Sequence, residues 1–227
     1  MSVQAMYQQK RMSAADAIHV VQNGDTIVVP TGVGEPPALL TALSDVRRNY
    51  RDVKVSQILP LRKYGYIDQE TQENVRHVAY FFGGATRPGG QEGWIDYLPA
   101  YFSELPQLIL RGMSPADVVF SMASPMDEFG YFSLSLGADY TMAAVEKARA
   151  IVLEVNPNVP FANGGCHVHI SQIAALTESS DPLLEVGLPK IGPVQQAIGG
   201  YVAEMIPNGA TLQIGYGGIP DAVVMQL

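Results

Sequence analysis

The chain has 227 residues, 47% of them hydrophobic, with 22 acidic against 14 basic side chains and a net charge of −8. That content can bury a sizeable core, while an acidic balance without any Lys/Arg cluster disfavours nucleic acid, whose phosphates need a basic footprint. Cys166 is the only cysteine, so no internal disulfide is available and a reducing compartment is expected. No apolar run approaches the roughly 18 residues of a membrane span and no signal peptide is visible, which points to a soluble, cytoplasmic protein with no membrane partner.

Ser13 reads as the N-cap of a first helix, with Asp16 three residues on in the manner of a capping box. Asn23-Gly24 would stop that helix. The β-branched run at 26–29 reads as a buried strand. A Gly-rich turn follows, Gly32-Val33-Gly34-Glu35, and Pro36-Pro37 opens a helix to about residue 48. Strands are expected at 53–59, 75–82, 117–122 and 131–134. The turn at 125–130 lies between the last two. The segment 84–93 reads as a loop that could serve as a flexible cover. A helix at 138–148 and a buried strand at 150–155 come next, the latter ending at Asn156-Pro157. Further on, 170–176 and 210–214 read as strands, 193–205 as a helix, and Ile219 opens a last helix. Strands alternating with helices give an α/β fold, an open and largely parallel sheet with flanking helices.

Two stretches are copies of each other. Asn23-Gly24-x-Thr26, the glycines of 32–34, the Pro and Ala38 align, with a one-residue gap, on Asn208-Gly209-x-Thr211, Gly215-Tyr216-Gly217-Gly218, Pro220 and Ala222. We therefore divide the chain into a first domain, 1–190, and the start of a related second domain, 191–227. Both turns follow a strand and precede a helix. In a parallel sheet that places them at the carboxyl ends of strands, where ligands bind, with free helix N–H groups nearby. Such a turn can cradle a phosphate or polarise a carbonyl oxygen, or can simply be a tight connection. Neither turn carries a Walker Lys-Ser/Thr, and neither completes G-x-G-x-x-G, which disfavours nucleotide hydrolysis and hydride transfer.

Cys166-His167-Val168-His169 lacks the spacing of a structural zinc site. In a strand, His167 and His169 would share a face opposite Cys166, and no metal is expected. No G-x-S-x-G elbow supports a serine hydrolase. Glu35 should be stabilised as an anion near a helix N-terminus, or reads simply as that helix's cap. Glu154 ends an apolar strand. Ser124, Asp127, Tyr131, Asn156, Pro157 and Pro160 are placed on the same rim.

The segments Ser124-Pro125-Met126-Asp127-Glu128-Phe129-Gly130-Tyr131, Leu153-Glu154-Val155-Asn156-Pro157-Asn158-Val159-Pro160, His169-Ile170-Ser171-Gln172-Ile173 and Leu212-Gln213-Ile214-Gly215-Tyr216-Gly217-Gly218-Ile219-Pro220 resemble the N-terminal half of the acetyl-CoA hydrolase/transferase family. They resemble in particular the branch of the 4-hydroxybutyrate and butyryl-CoA:acetate CoA-transferases. The resemblance implies two related α/β domains around a cleft, and a glutamate that attacks an acyl-CoA thioester to give a glutamyl-CoA intermediate. It implies acyl-CoA and a small carboxylate as partners, CoA as substrate rather than cofactor, and a homodimer. It assigns CoA contact to Gly215, Tyr216, Gly217, Gly218 and Ile219. We add Gly32, Val33, Gly34, Glu35, Asn156 and Pro157 as candidate substrate contacts. The nucleophile is expected beyond Leu227, so no catalytic residue is assigned and the chain alone is expected to be inactive. Two alternatives remain open: an acyl-CoA hydrolase, and a non-catalytic module sensing CoA or a sugar phosphate.

Overall fold

A computed structural model describes residues 1–187 and 189–227, which fall into two compact units, Met1–Leu183 and Leu184–Leu227. The first begins with α1 (Val3–Lys10) and α2 (Ala14–Ala17), followed by β1 (Thr26–Val28), α3 (Pro37–Asp45), β2 (Val53–Gln57) and β3 (Val75–Ala79). Then come α4 (Arg87–Glu92), β4 (Asp96–Tyr97), α5 (Leu105–Leu110), β5 (Val118–Ala123) and β6 (Tyr131–Ser133). The unit closes with α6 (Thr141–Lys147), β7 (Ala150–Val155), β8 (His167–His169) and β9 (Ala175–Glu178).

Seven strands form one parallel sheet in the order β4-β3-β2-β1-β5-β7-β9. Alternation along each strand divides the core between its faces. One face buries Ile27, Val29, Val53, Val55, Val118, Phe120 and Val152 with Leu39, Leu40 and Leu43 of α3. The other buries Val28, Val119, Ile151, Leu153 and Val155 with Leu105, Ile109 and Ala144 from α5 and α6. Because both faces are covered, β5 and β7 are buried along their whole length, which is why they read in the sequence as near-continuous apolar runs.

Several expectations are corrected. The segment 84–93 is not a loop throughout, since it contains α4, closed by Gly93 at φ +80°. The strand expected at 170–176 is absent as drawn. Residues 167–169 form β8, which pairs antiparallel with β6 in a separate two-stranded sheet, and 175–178 form β9 in the main sheet. A turn at 170–172, where Gln172 N–H donates to the His169 carbonyl (2.9 Å), separates the two. Helix α1 has little amphipathic pattern, and its cap Ser2, accepting from the Ala5 N–H at 3.2 Å, is its clearest marker.

In the second unit, α7 (Pro193–Ala203) packs on α8 (Gly218–Val224). The approach is close: a Cβ added to Gly199 would lie 2.7 Å from the Ala222 carbonyl carbon. Residues 210–214, expected as a strand, are exposed and unpaired among the described residues. A lone extended segment cannot satisfy its own backbone, so its β-branched composition is not enough. The repeat shows in the backbone. Gly24 and Gly209 both take left-handed φ, +85° and +81°, at the same point between the two helices of each copy.

Candidate functional site

All seven strands of the main sheet run the same way, so the segments after β1, β2, β5 and β7 emerge at one edge. That edge is where open α/β sheets bind ligands. Residues 30–35, 57–61, 124–130 and 156–160 form it, and a network of buried side chains fixes the first two of these segments.

The turn after β1 is packed rather than open. Gly32, Gly34 and Glu35 are buried, and Val33 is partly exposed. Its N–H groups are largely occupied: Gly32 donates to the Leu59 carbonyl (3.0 Å), Gly34 to Thr31 (3.2 Å) and Glu35 to Gly32 (3.1 Å). Gly32 adopts φ +55°, which favours glycine. Gly34 answers a close approach, because a Cβ there would sit 2.6 Å from Cα of Gly137. The carboxyl end of β1 is clamped from the other side by Asp139 and Tyr140. An Asp139 oxygen accepts from the Thr31 N–H (2.9 Å), and the Tyr140 hydroxyl donates to the Val29 carbonyl (2.6 Å) while accepting from the Ile58 N–H (3.1 Å).

Glu35 links the turn after β1 to the segment after β2. Its Oε2 accepts from Gln57 Nε2 (3.1 Å) and the Leu61 N–H (3.3 Å), and Gln57 Nε2 also donates to the Pro30 carbonyl (2.9 Å). It makes no bond to the N-terminus of α3. Burial raises its carboxyl pKa, opposed by hydrogen bonds from Gln57 and Leu61 and by the nearby Tyr64 hydroxyl. Tyr64 lies against this carboxyl, Tyr66 stacks on Tyr64 (5.9 Å, 4°), and His77 stacks on Tyr66 (6.2 Å, 29°). His77 is fully buried, and desolvation lowers its pKa to about 3. Sequence reasoning missed Gln57, Tyr64, Tyr66 and His77. The signal available was polar residues at inward positions of apolar strands: Gln57 continues the face of Val53 and Val55, and His77 that of Val75 and Ala79.

The N-terminus of α3 is capped by Glu154, 116 residues away, whose Oε2 accepts from the N–H groups of Ala38 (2.8 Å) and Leu39 (3.4 Å). Its Oε1 accepts from the Ser179 hydroxyl (2.8 Å). Burial raises the pKa of this carboxyl too, while Ser179, Ala38 and Leu39 oppose the rise. Asn156 is likewise buried. It donates to the Asp181 carbonyl (2.9 Å) and accepts from the Asn158 N–H (2.9 Å), holding the turn whose Pro157 is exposed. Asp127 closes the 125–130 turn by accepting from the N–H groups of Phe129 (3.0 Å) and Tyr131 (2.7 Å).

His167 and His169 share a face of β8, as the strand period requires, but each is engaged locally. His167 Nε2 contacts the Ala162 carbonyl (2.9 Å), and His169 contacts Ser171 Oγ (2.8 Å) and the Phe129 carbonyl (3.2 Å). Among the described residues no three His, Cys, Asp or Glu side chains gather as metal ligands would.

In the second unit, Gly215, Tyr216, Gly217, Gly218 and Ile219 lead into α8. Gly217 is its N-cap, at φ +126° and ψ 171°, a conformation open to glycine. A Cβ on Gly215 or Gly217 would meet only Pro220, at 3.6 and 4.0 Å, and Tyr216 is fully exposed.

Residues 1–185 match the model of the acetyl-CoA hydrolase/transferase N-terminal domain. The chain belongs to the acetyl-CoA hydrolase/transferase family. Over its full length it is 40% identical to succinyl-CoA:cyclohexane-1-carboxylate CoA transferase of Geobacter metallireducens, covering 51% of that protein. It is 38% identical to 4-hydroxybutyrate coenzyme A transferase of Clostridium kluyveri, covering 53%. Among solved structures, RipA from Yersinia pestis superposes with a TM-score of 0.89 at 29% identity, over 98% of this chain and 54% of that one. The chain thus spans about half the length of the relatives it matches.

Proposed function

We propose that this chain is the first half of a CoA-transferase that moves CoA between an acyl-CoA thioester and a small carboxylate through a glutamyl-CoA intermediate. The observation that carries the reading is similarity over the whole of this chain and about half of each relative, at 38–40% identity, to two CoA transferases acting on different carboxylates, on a sheet whose rim segments are tied by hydrogen bonds. The chemistry needs a carboxylate nucleophile and preorganised donors for the tetrahedral oxyanion. Glu35 and Glu154 are buried and hold internal N–H groups, so they shape the scaffold and do not act as nucleophiles. In this reading the nucleophile is, as the family resemblance implies, a glutamate outside this chain, and the chain alone is inactive. Gly215 to Ile219 meet CoA, with the helix N-terminus behind them favouring negative charge.

We place the protein in the cytoplasm as a homodimer, with CoA as substrate and no cofactor. No helix among the described residues is long and apolar enough to cross a membrane. A thioester-exchange assay tests the assignment: this chain and a version continued to the length of its relatives are each given an acyl-CoA and acetate. The longer chain is expected to exchange CoA and the shorter to show none. Robust turnover by the short chain contradicts a missing nucleophile. Release of free CoA at the same rate without acetate would favour a hydrolase.

A further inference from the structure

On the face of the sheet that carries α3, five polar side chains meet inside the first unit. Glu35 and Gln57 are hydrogen-bonded at 3.1 Å. Tyr64 lies against Glu35, Tyr66 stacks on Tyr64, and His77 stacks on Tyr66. Gln57 on β2 and His77 on β3 face the same side, because Val55 is paired with His77 and Gln57 with Ala79. All five are buried, three of them with no exposure at all (Gln57, Tyr66 and His77). Yet Glu35 Oε1, Gln57 Oε1, the Tyr64 and Tyr66 hydroxyls and both His77 ring nitrogens have no hydrogen-bond partner among the described residues. No other buried region of this unit concentrates so many such atoms.

We infer that the cluster of Glu35, Gln57, Tyr64, Tyr66 and His77 is a built hydration site, holding ordered water that bridges these side chains. Buried polar groups are rarely left unsatisfied, and five adjacent ones would cancel a large part of a domain's small net stability. The inventory of donors and acceptors selects the guest. Two tyrosine hydroxyls and the one N–H of a neutral imidazole offer donors, while Glu35 Oε1, Gln57 Oε1 and the second imidazole nitrogen accept. An anion would meet the two amide and carboxyl oxygens. A cation would leave three donors unanswered. Water donates and accepts, and buried waters characteristically make about three hydrogen bonds to groups of this kind. The site has a structural consequence for the rim. The outer atoms of Glu35 and Gln57 hold Leu61 and Pro30, and the bridging water fixes the inner atoms of the same two side chains. The inference does not depend on the transferase reading.

A crystal structure of this chain at a resolution that shows ordered solvent tests it, together with denaturant unfolding of Tyr66→Phe and His77→Leu. The expected result is a solvent peak within hydrogen-bond distance of at least two of the five side chains. Each variant is expected to lower the folding equilibrium constant by about tenfold, because the water loses a partner. A dry cavity, or side chains that satisfy one another directly with no solvent between them, overturns the inference. So does either variant folding as stably as the parent or more so, since truly unsatisfied atoms are better removed. If a variant does not fold, the solvent density of the parent still decides.

Discussion

At the scale of single residues, His77 carries the sharpest pH signature. Its imidazole is held neutral down to a pKa of about 3 by desolvation, whereas an unfolded histidine takes up a proton near pH 6.5. The contribution of the neutral form is therefore complete above pH 6.5 and is lost as pH falls toward 3, at up to about 1.4 kcal/mol per unit. Glu35 and Glu154, whose pKa values burial raises, act with the opposite sign: their neutral forms favour the fold at low pH, and that advantage is lost as pH rises through their folded values. Tyr64 and Tyr66, the other groups at the cluster, stay neutral throughout. His77→Gln keeps a neutral hydrogen-bonding side chain without the titration. Its unfolding midpoint should fall less steeply than the parent's between pH 6.5 and 4, and an unchanged slope would contradict the assignment. Gly34 supplies a steric test. Gly34→Ala forces a Cβ to 2.6 Å from Gly137 Cα, backbone that cannot swing aside, so thermal unfolding should reveal a loss of about 1–3 kcal/mol. The sequence marks Gly34 as a close-approach position. It does not show that the approaching group is the chain itself, because Gly137 lies more than a hundred residues away.

The elements divide by what the sequence can encode locally. Strand β7 follows its apolar run residue for residue, since both faces of its neighbours are covered. The Ser13 cap is equally legible, with the Asp16 N–H donating to Ser13 Oγ (3.1 Å). The strand expected at 210–214 fails because strand formation depends on a pairing partner that composition cannot supply. Helix α4 is hidden because Arg87–Glu92 contains Pro88, Gly89 and Gly90. Glycine there serves packing, as a Cβ on Gly90 would lie 2.5 Å from the Phe82 ring. The cap of α3 is the long-range case. Glu35 is the nearby acidic residue, but its Oε2 is engaged by Gln57 and Leu61, and the cap comes from β7. Glu154→Ala should cost about 2 kcal/mol by denaturant unfolding, because it leaves two helix N–H groups and Ser179 without their acceptor. Glu154→Gln, which keeps one acceptor oxygen, should cost less. Equal losses would contradict this acceptor role, because glutamine keeps both the volume and one acceptor oxygen.

For the whole molecule, the α/β class and parallel sheet are legible from the alternation of apolar runs and helix signals, and the short edge strand β4, two residues long, is not. The order of strands is set by crossovers that no local pattern records. The candidate site is legible only in outline. The Gly turn after β1 marks the carboxyl edge of the sheet, while the side chains that hold that edge in shape belong to strands whose apolar neighbours hide them. The repeat of Asn-Gly, Gly turn and helix has a physical counterpart in two left-handed glycines and two helix pairs. On the CoA contact proposed for Gly215 to Ile219, Gly217→Val in the longer chain should raise KM for acyl-CoA several-fold by straining φ +126°, measured well below the variant's own unfolding midpoint. The activity proposed for the protein is carboxylate-dependent transfer of CoA. Its most direct test incubates the chain, continued to the length of its relatives, with an acyl-CoA and isotopically labelled acetate, and follows the label. Label appearing in acetyl-CoA, in step with loss of the starting thioester, is the predicted result; CoA released without any labelled thioester, or a starting thioester that stays intact, would contradict it.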